Sequence, residues 1–249
     1  MRRILVAGNW KMNANQAMVS SLLSDIVAGS PDKVDVAVFP PAVYLSQAIA
    51  ALQNTSIAVG GQNINANVSG AYTGEIAANM LVDIGCSMAL VGHSERRTLF
   101  GETDQDVLAK VQAALAEQLT PVICIGETLE EREQGTTEQV IANQVNAVLE
   151  GLSSDQLAKC VWAYEPVWAI GTGKTATPDQ AQQVHQFVRQ LLAAKDAEVA
   201  QKVRILYGGS VNPQSAADLF AQADIDGGLV GGASLKAEQF LAICNSVNE

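Results

Sequence analysis

Positive charge is scarce in this 249-residue chain: 15 lysines and arginines stand against 26 aspartates and glutamates, a formal net charge of −11. That balance argues against a nucleic-acid partner, because phosphate backbones are held by clustered Lys and Arg. An anionic small ligand stays open. A few backbone N–H groups and one lysine can hold a phosphate in a cleft, and charge elsewhere is screened over about 8 Å at physiological salt. Histidine is rarer still, with two residues, which leaves no plausible metal-ligand cluster, and no cofactor is expected. The four cysteines, Cys86, Cys124, Cys160 and Cys244, lie far apart with no Cys-x-x-Cys pair, so they read as reduced core thiols and not as disulfides or a zinc site. No apolar run reaches membrane-spanning length. The opening Met-Arg-Arg-Ile-Leu-Val-Ala-Gly breaks at Gly8-Asn9, too early for a signal peptide. A cytoplasmic location is therefore expected, with no membrane partner, and Asn54-Thr55-Ser56 and Asn67-Val68-Ser69 read as chance glycosylation sequons.

Apolar material is ample, at 48% hydrophobic and 16% charged residues, enough for a substantial core. Short β-branched runs recur at 4–6, 34–39, 57–59, 88–91, 122–125, 161–164, 203–206 and 228–230. Most are continuously apolar, as expected for parallel strands covered on both faces. Helical patterns separate them. Thr103, Thr136 and Thr177 each precede an acid or amide by three residues, the capping-box spacing, with Pro178 in the first turn of the third. Apolar stripes such as Val107, Leu108, Val111, Leu115 and Val184, Phe187, Val188, Leu191 follow at helical period. His185 falls one place off the second stripe and reads as solvated surface. No linker or compositional break divides the chain, so one domain over 1–249 is the simplest reading. Eight strand–helix units can stay open as a doubly wound sheet or close as a barrel, and the count of eight favours a single-domain (β/α)8 barrel.

In such a barrel, function sits in the loops after the carboxyl ends of the strands. Those positions carry Gly8-Asn9-Trp10-Lys11, Gly92-His93-Ser94-Glu95-Arg96-Arg97, a long stretch from Glu165-Pro166-Val167-Trp168 to Gly171-Thr172-Gly173-Lys174, Tyr207-Gly208-Gly209-Ser210-Val211, and Gly231-Gly232-Ala233-Ser234-Leu235. Taken alone, Glu165 is as readily a strand-end surface glutamate as a base, and a lone histidine such as His93 is more often structural than catalytic. Lys11 could equally be an ordinary loop lysine. Gly173-Lys174-Thr175 suggests a nucleotide P-loop, but that motif needs glycine at 168, where Trp168 stands.

Together, in this order and at these spacings, the segments resemble the triosephosphate isomerase family, and the resemblance runs from Asn9 to Leu235. It implies a (β/α)8 barrel without metal or organic cofactor that interconverts dihydroxyacetone phosphate and glyceraldehyde 3-phosphate, a step of glycolysis and gluconeogenesis. Glu165 would shuttle the proton through an enediolate, with His93 polarising oxygen; this family is itself the standard worked case of a glutamate base beside a neutral histidine. The same likeness places Asn9 and Lys11 at the developing charge and the phosphate, and Gly171, Ser210, Gly231 and Gly232 as phosphate-binding backbone. It reads residues 166–176 as a lid, the family being a standard instance of loop closure. Gln62-Asn63 and the stretch 69–75 resemble the family's dimer loop, although Gly60-Gly61 before it is less typical, and imply a homodimer with Thr73 reaching the neighbour's Asn9 and Lys11. Glu95, Arg96, Arg97 and Glu102 read as a structural ion-pair cluster, although the resemblance places Glu95 close to the catalytic lysine, and 130–133 reads as a solvated helix start. Two alternatives stay on the table: a noncatalytic phosphate-binding barrel, and another sugar-phosphate isomerase or aldolase. A metal-dependent aldolase would need several strand-end ligands where only His93 is available. The noncatalytic protein would be expected to have lost Glu165, His93 or Lys11.

Overall fold

Each apolar run forms a strand. The computed structural model describes residues 2–170 and 175–247. The strands are β1 (Leu5–Asn9), β2 (Asp35–Phe39), β3 (Ala58–Gly61), β4 (Met88–Val91), β5 (Thr120–Ile125), β6 (Val161–Tyr164), β7 (Arg204–Tyr207) and β8 (Gly227–Val230). Among the described residues they pair in parallel in sequence order, and β8 closes on β1. The doubly wound alternative is thereby excluded.

Closure splits the core in two. Side chains alternate across a strand, so one set from each strand fills the barrel and the other faces the helices. Leu5 and Ala7, Ala37 and Phe39, Met88 and Leu90, Val122 and Cys124, and Val161 and Ala163 form the inner cluster with Leu206 and Leu229. A larger cluster lies between strands and helices. Gly60 belongs to this packing: a Cβ there would stand 2.3 Å from the Phe39 ring, so the atypical glycine leaves room for a large inner side chain. All four cysteines are buried and free, and burial pushes the Cys124 thiol well up.

Capping follows the sequence at two of the three marked threonines. Thr103 with Asp106 and Thr177 with Gln180 close reciprocal boxes, and Pro178 opens the helix Pro178–Lys195. Thr136 makes no such bond. Its hydroxyl donates instead to the Glu131 carbonyl at 2.9 Å, because the preceding helix Leu129–Glu133 ends within reach. Thr128 and Ser153 form two further boxes that the sequence reading did not mark.

His185 is a correction. It is fully buried, not solvated. The inward face of Pro178–Lys195 is Ala181, Val184, His185, Val188, Arg189 and Leu192, so counting only apolar residues shifted the stripe towards Phe187 and Leu191. The ring stands edge-on to Tyr164 with centroids 5.8 Å apart, and its Nδ1 lies 3.2 Å from the Asp224 carbonyl. Burial pulls its pKa down to about 3. Above pH 6.5 the ring is neutral folded or unfolded, and its contribution to stability is fully present. As pH falls from 6.5 towards 3 only the unfolded chain takes up the proton, costing up to about 1.4 kcal/mol per pH unit. Urea unfolding at pH 7.5, 6.0 and 5.0 should therefore show a steeper acid loss for the parent than for His185→Asn, by about one proton; equal slopes would mean that the folded ring titrates normally.

Candidate active site

The alternation that fills the barrel also fixes what stands at its mouth. Continuing the inward series of β6 through Val161 and Ala163 brings Glu165 to the next inward position. The same step on β1 gives Asn9, on β5 Gly126, on β7 Gly208 and on β8 Gly231. Glu165 N–H donates to the Ile125 carbonyl at 2.7 Å, and Gly208 N–H to the Tyr164 carbonyl, so Glu165 stands between Gly126 and Gly208. Neither neighbour could carry a side chain. A Cβ on Gly126 would stand 1.8 Å from the Glu165 carbonyl oxygen, and one on Gly208 2.8 Å from Glu165 Cγ.

Glu165 is 1% exposed. Burying a carboxylate costs several kcal/mol unless partners replace its water. His93 Nε2 lies 2.9 Å from Oε1, and the Ser94 N–H donates to Oε2 at 3.0 Å. Burial raises the carboxyl pKa, while His93, the Ser94 N–H and Lys11 lower it; the net direction is down, so the group stays ionised. His93 caps the helix Ser94–Phe100, its Nδ1 accepting the Glu95 N–H at 3.2 Å. Nδ1 is thus an acceptor, and a neutral ring carries its proton on Nε2, facing Glu165. Burial lowers the His93 pKa and Glu165 raises it by charge and hydrogen bond; with the carboxylate in contact the net direction is up.

Lys11 follows β1 with φ 51°, a left-handed conformation that costs a non-glycine residue on the order of 1 kcal/mol or more. Its N–H donates to Asn9 Oδ1 at 3.0 Å, and Nζ donates to Glu95 Oε1 at 2.6 Å. Glu95 thus pairs with Lys11, where the resemblance implies it should lie, and stands apart from the ion-pair cluster. The cluster itself is present: Arg96 and Lys110 meet Glu102, Arg97 meets Asp104 at 2.6 Å, and Glu102 accepts the Gly92 N–H at 3.1 Å. It holds the turn that presents His93.

Asn9, Lys11, His93 and Glu165 line one cavity of about 450 Å³ together with Ser210, Gly231 and Gly232. The Ser210 hydroxyl donates to the Ala169 carbonyl at 2.7 Å. Gly232 opens a short turn, Gly232–Leu235, whose first N–H groups have no partner within it. Gly171 and the 171–174 part of the expected lid lie outside the described residues.

The sequence reading missed Gly126 and Glu127, and gave Gly208, which stands within its Tyr207–Val211 segment, no role beside Glu165. Glu127 is fully buried beside the site, and its Oε1 receives Trp168 Nε1 at 2.8 Å, the Tyr164 hydroxyl at 3.1 Å and Arg132 at 3.2 Å. The Arg132 guanidinium also covers the Trp168 ring, 4.7 Å from its centroid. The strand-end rule would have found Gly126-Glu127 after β5, the mouth segment that motif matching passed over.

Gly126→Ala should cost above about 4 kcal/mol, since backbone opposes the new methyl. Gly135→Ala, at φ 72° with nothing within 4 Å, should cost on the order of 1 kcal/mol from backbone strain alone. Thermal midpoints of the two variants check this, and similar midpoints would contradict the crowding argument.

With this geometry in hand, the relatives are informative. A family model described as triosephosphate isomerase matches residues 4–247. The curated triosephosphate isomerase of Hydrogenovibrio crunogenus is 54% identical over 252 residues, covering 100% of both chains. That of Cupriavidus taiwanensis is 56% identical over 247 residues, covering 99% of this chain and 100% of the relative. Likeness of this extent over a closed eight-stranded barrel leaves one assignment: the chain belongs to the triosephosphate isomerase family.

Proposed function

We propose that this chain interconverts dihydroxyacetone phosphate and D-glyceraldehyde 3-phosphate by proton transfer through an enediolate. The observation that carries the reading is the buried Glu165 carboxylate against His93 Nε2 in a cavity that also holds Lys11. Removing a proton beside a carbonyl needs a poorly solvated, ionised carboxylate over the C–H bond and a donor at the oxygen that gains charge. Glu165 is the base. To reach substrate it gives up His93 Nε2–H, which then points at substrate oxygen. Once the carboxylate has turned away, burial is the main influence left on His93 and favours the neutral ring. Lys11 and Asn9 stabilise the developing charge. The phosphate lies against the backbone N–H groups of Ser210, Gly231 and Gly232, with the Lys11 ammonium contributing positive charge; the family resemblance adds Gly171, which lies outside the described residues. No metal or organic cofactor takes part. The setting is the cytoplasm and the step serves glycolysis and gluconeogenesis; among the described residues no helix is long and apolar enough to cross a membrane.

The active form is a homodimer. A second cavity of about 670 Å³ adjoins the first, lined by Lys11, Met12, Gly74, Glu75, Leu99 and Phe100. Met12 is 95% exposed and Leu99 72%, a concentration of apolar surface beside a polar site that fits a partner interface. Thr73 of one subunit approaches Asn9 and Lys11 of the other, so each subunit completes its neighbour's site in an isologous pair.

Two measurements test these readings. In an assay coupled to glyceraldehyde 3-phosphate consumption, Glu165→Asp should lose on the order of 100-fold in kcat, because the carboxylate withdraws by about 1 Å. Phosphate binding should change little. Parent-level exchange of the substrate C–H hydrogen with solvent in that variant would assign the base elsewhere. Thr73→Arg should shift sedimentation towards monomer and leave the monomer nearly inactive; a fully active monomer under turnover conditions would refute the shared site.

A further inference from the structure

The strained turn at Lys11 is held from outside its own loop. Gln62, immediately after β3, donates Nε2–H to the Lys11 carbonyl at 2.8 Å and to the Phe39 carbonyl, at the end of β2, also at 2.8 Å. The Phe39 carbonyl in addition accepts the Trp10 N–H at 3.1 Å. An amide nitrogen has two hydrogens, and both are engaged here. The orientation of the amide is forced, since the opposite face would set its oxygen against two carbonyl oxygens. One side chain thus ties together the mouth ends of three successive strands.

We propose that Gln62 is a positioning residue for the reaction: by fixing the Lys11 carbonyl it holds the left-handed turn and so sets where the Lys11 ammonium stands. The inference rests on the role of Lys11 given above. A lysine ammonium rides on a flexible four-carbon stem, so its place depends on both ends. Glu95 holds the tip at 2.6 Å. Asn9 and Gln62 hold the N–H and the carbonyl of the base. Freed of the Gln62 bond, the residue can relax to negative φ, which redirects its Cα–Cβ bond and carries the ammonium away. Glutamate at this place would face two carbonyl oxygens with a negative charge. Methionine would fill the space without donating, and asparagine is one methylene too short.

The test compares Gln62→Met with the parent and with Lys11→Met, each counted by active sites and confirmed as folded dimer by thermal melting and sedimentation. The readouts are KM, kcat and the inhibition constant of inorganic phosphate. If Gln62 acts through Lys11, Gln62→Met raises KM and the phosphate constant together, with kcat/KM down by about 10- to 100-fold, the scale of a displacement near 1 Å. A residue that only supports stability or assembly lowers the active fraction and leaves KM and the phosphate constant at parent values; that result overturns the proposal. Lys11→Met separates the two levels. Should it leave KM and the phosphate constant unchanged, the reading of Lys11 fails; should it raise both while Gln62→Met raises neither, only the inference about Gln62 fails. Gln62→Asn, expected to shift the same constants in the same direction, stands in if the methionine variant does not assemble.

Discussion

A buried, ionised carboxylate is the constraint around which the mouth of this barrel is organised. Glu165 is withdrawn from water, and its charge persists because His93, the Ser94 N–H and Lys11 supply what solvent would have supplied. Each partner makes a demand of its own. His93 needs Nδ1 occupied by the Glu95 N–H, hence a helix starting at Ser94. That helix needs its approach fixed, and Glu102 does so through Gly92. Glu165 itself needs bare neighbours on both sides, which Gly126 and Gly208 provide. The glycines are best understood as space withheld for one side chain and its backbone.

Rigid strands and irregular loops divide the labour. The strands are locked by continuous parallel pairing, and their alternation decides which residue faces inward at the mouth. Local conformations that a loop would not adopt unaided are held from neighbouring strand ends. Lys11 stays at positive φ with Gln62 bonded to its carbonyl. Trp168, at the start of the segment leading to residue 171, is bonded to Glu127 and covered by Arg132. The strain at Lys11 persists only where surrounding contacts over-determine it, and both Gln62 and Glu127 reach their partners from elements far apart in sequence.

Much of this was legible in one dimension. Eight apolar runs pointed to the closed barrel, because period and punctuation are local properties of a chain, whereas Asn9, Lys11, His93 and Glu165 were singled out by the resemblance of the strand-end motifs to the triosephosphate isomerase family. The grouping of these four in one cavity follows from β1, β4 and β6 sharing one barrel mouth. The failures were also physical. His185 was misplaced because a helix stripe counted from apolar residues omits a buried imidazole whose Nδ1 is engaged by a carbonyl on another element. Thr136 has the capping-box spacing, yet its hydroxyl is engaged by the helix before it.

The sequence by itself determined the element order, the alternation of residues between two faces once a strand is granted, and the side chains available at each strand end. Those depend on backbone geometry and spacing alone. The tertiary structure decided the rest: that Gly126 and Gly208 make way for Glu165, that Gln62 reaches two carbonyls across three strands, and that Glu127 holds Trp168. None of these can be read from local pattern, because each is a contact between residues brought together by barrel closure, and its worth depends on distances of a few ångströms that spacing along the chain does not encode.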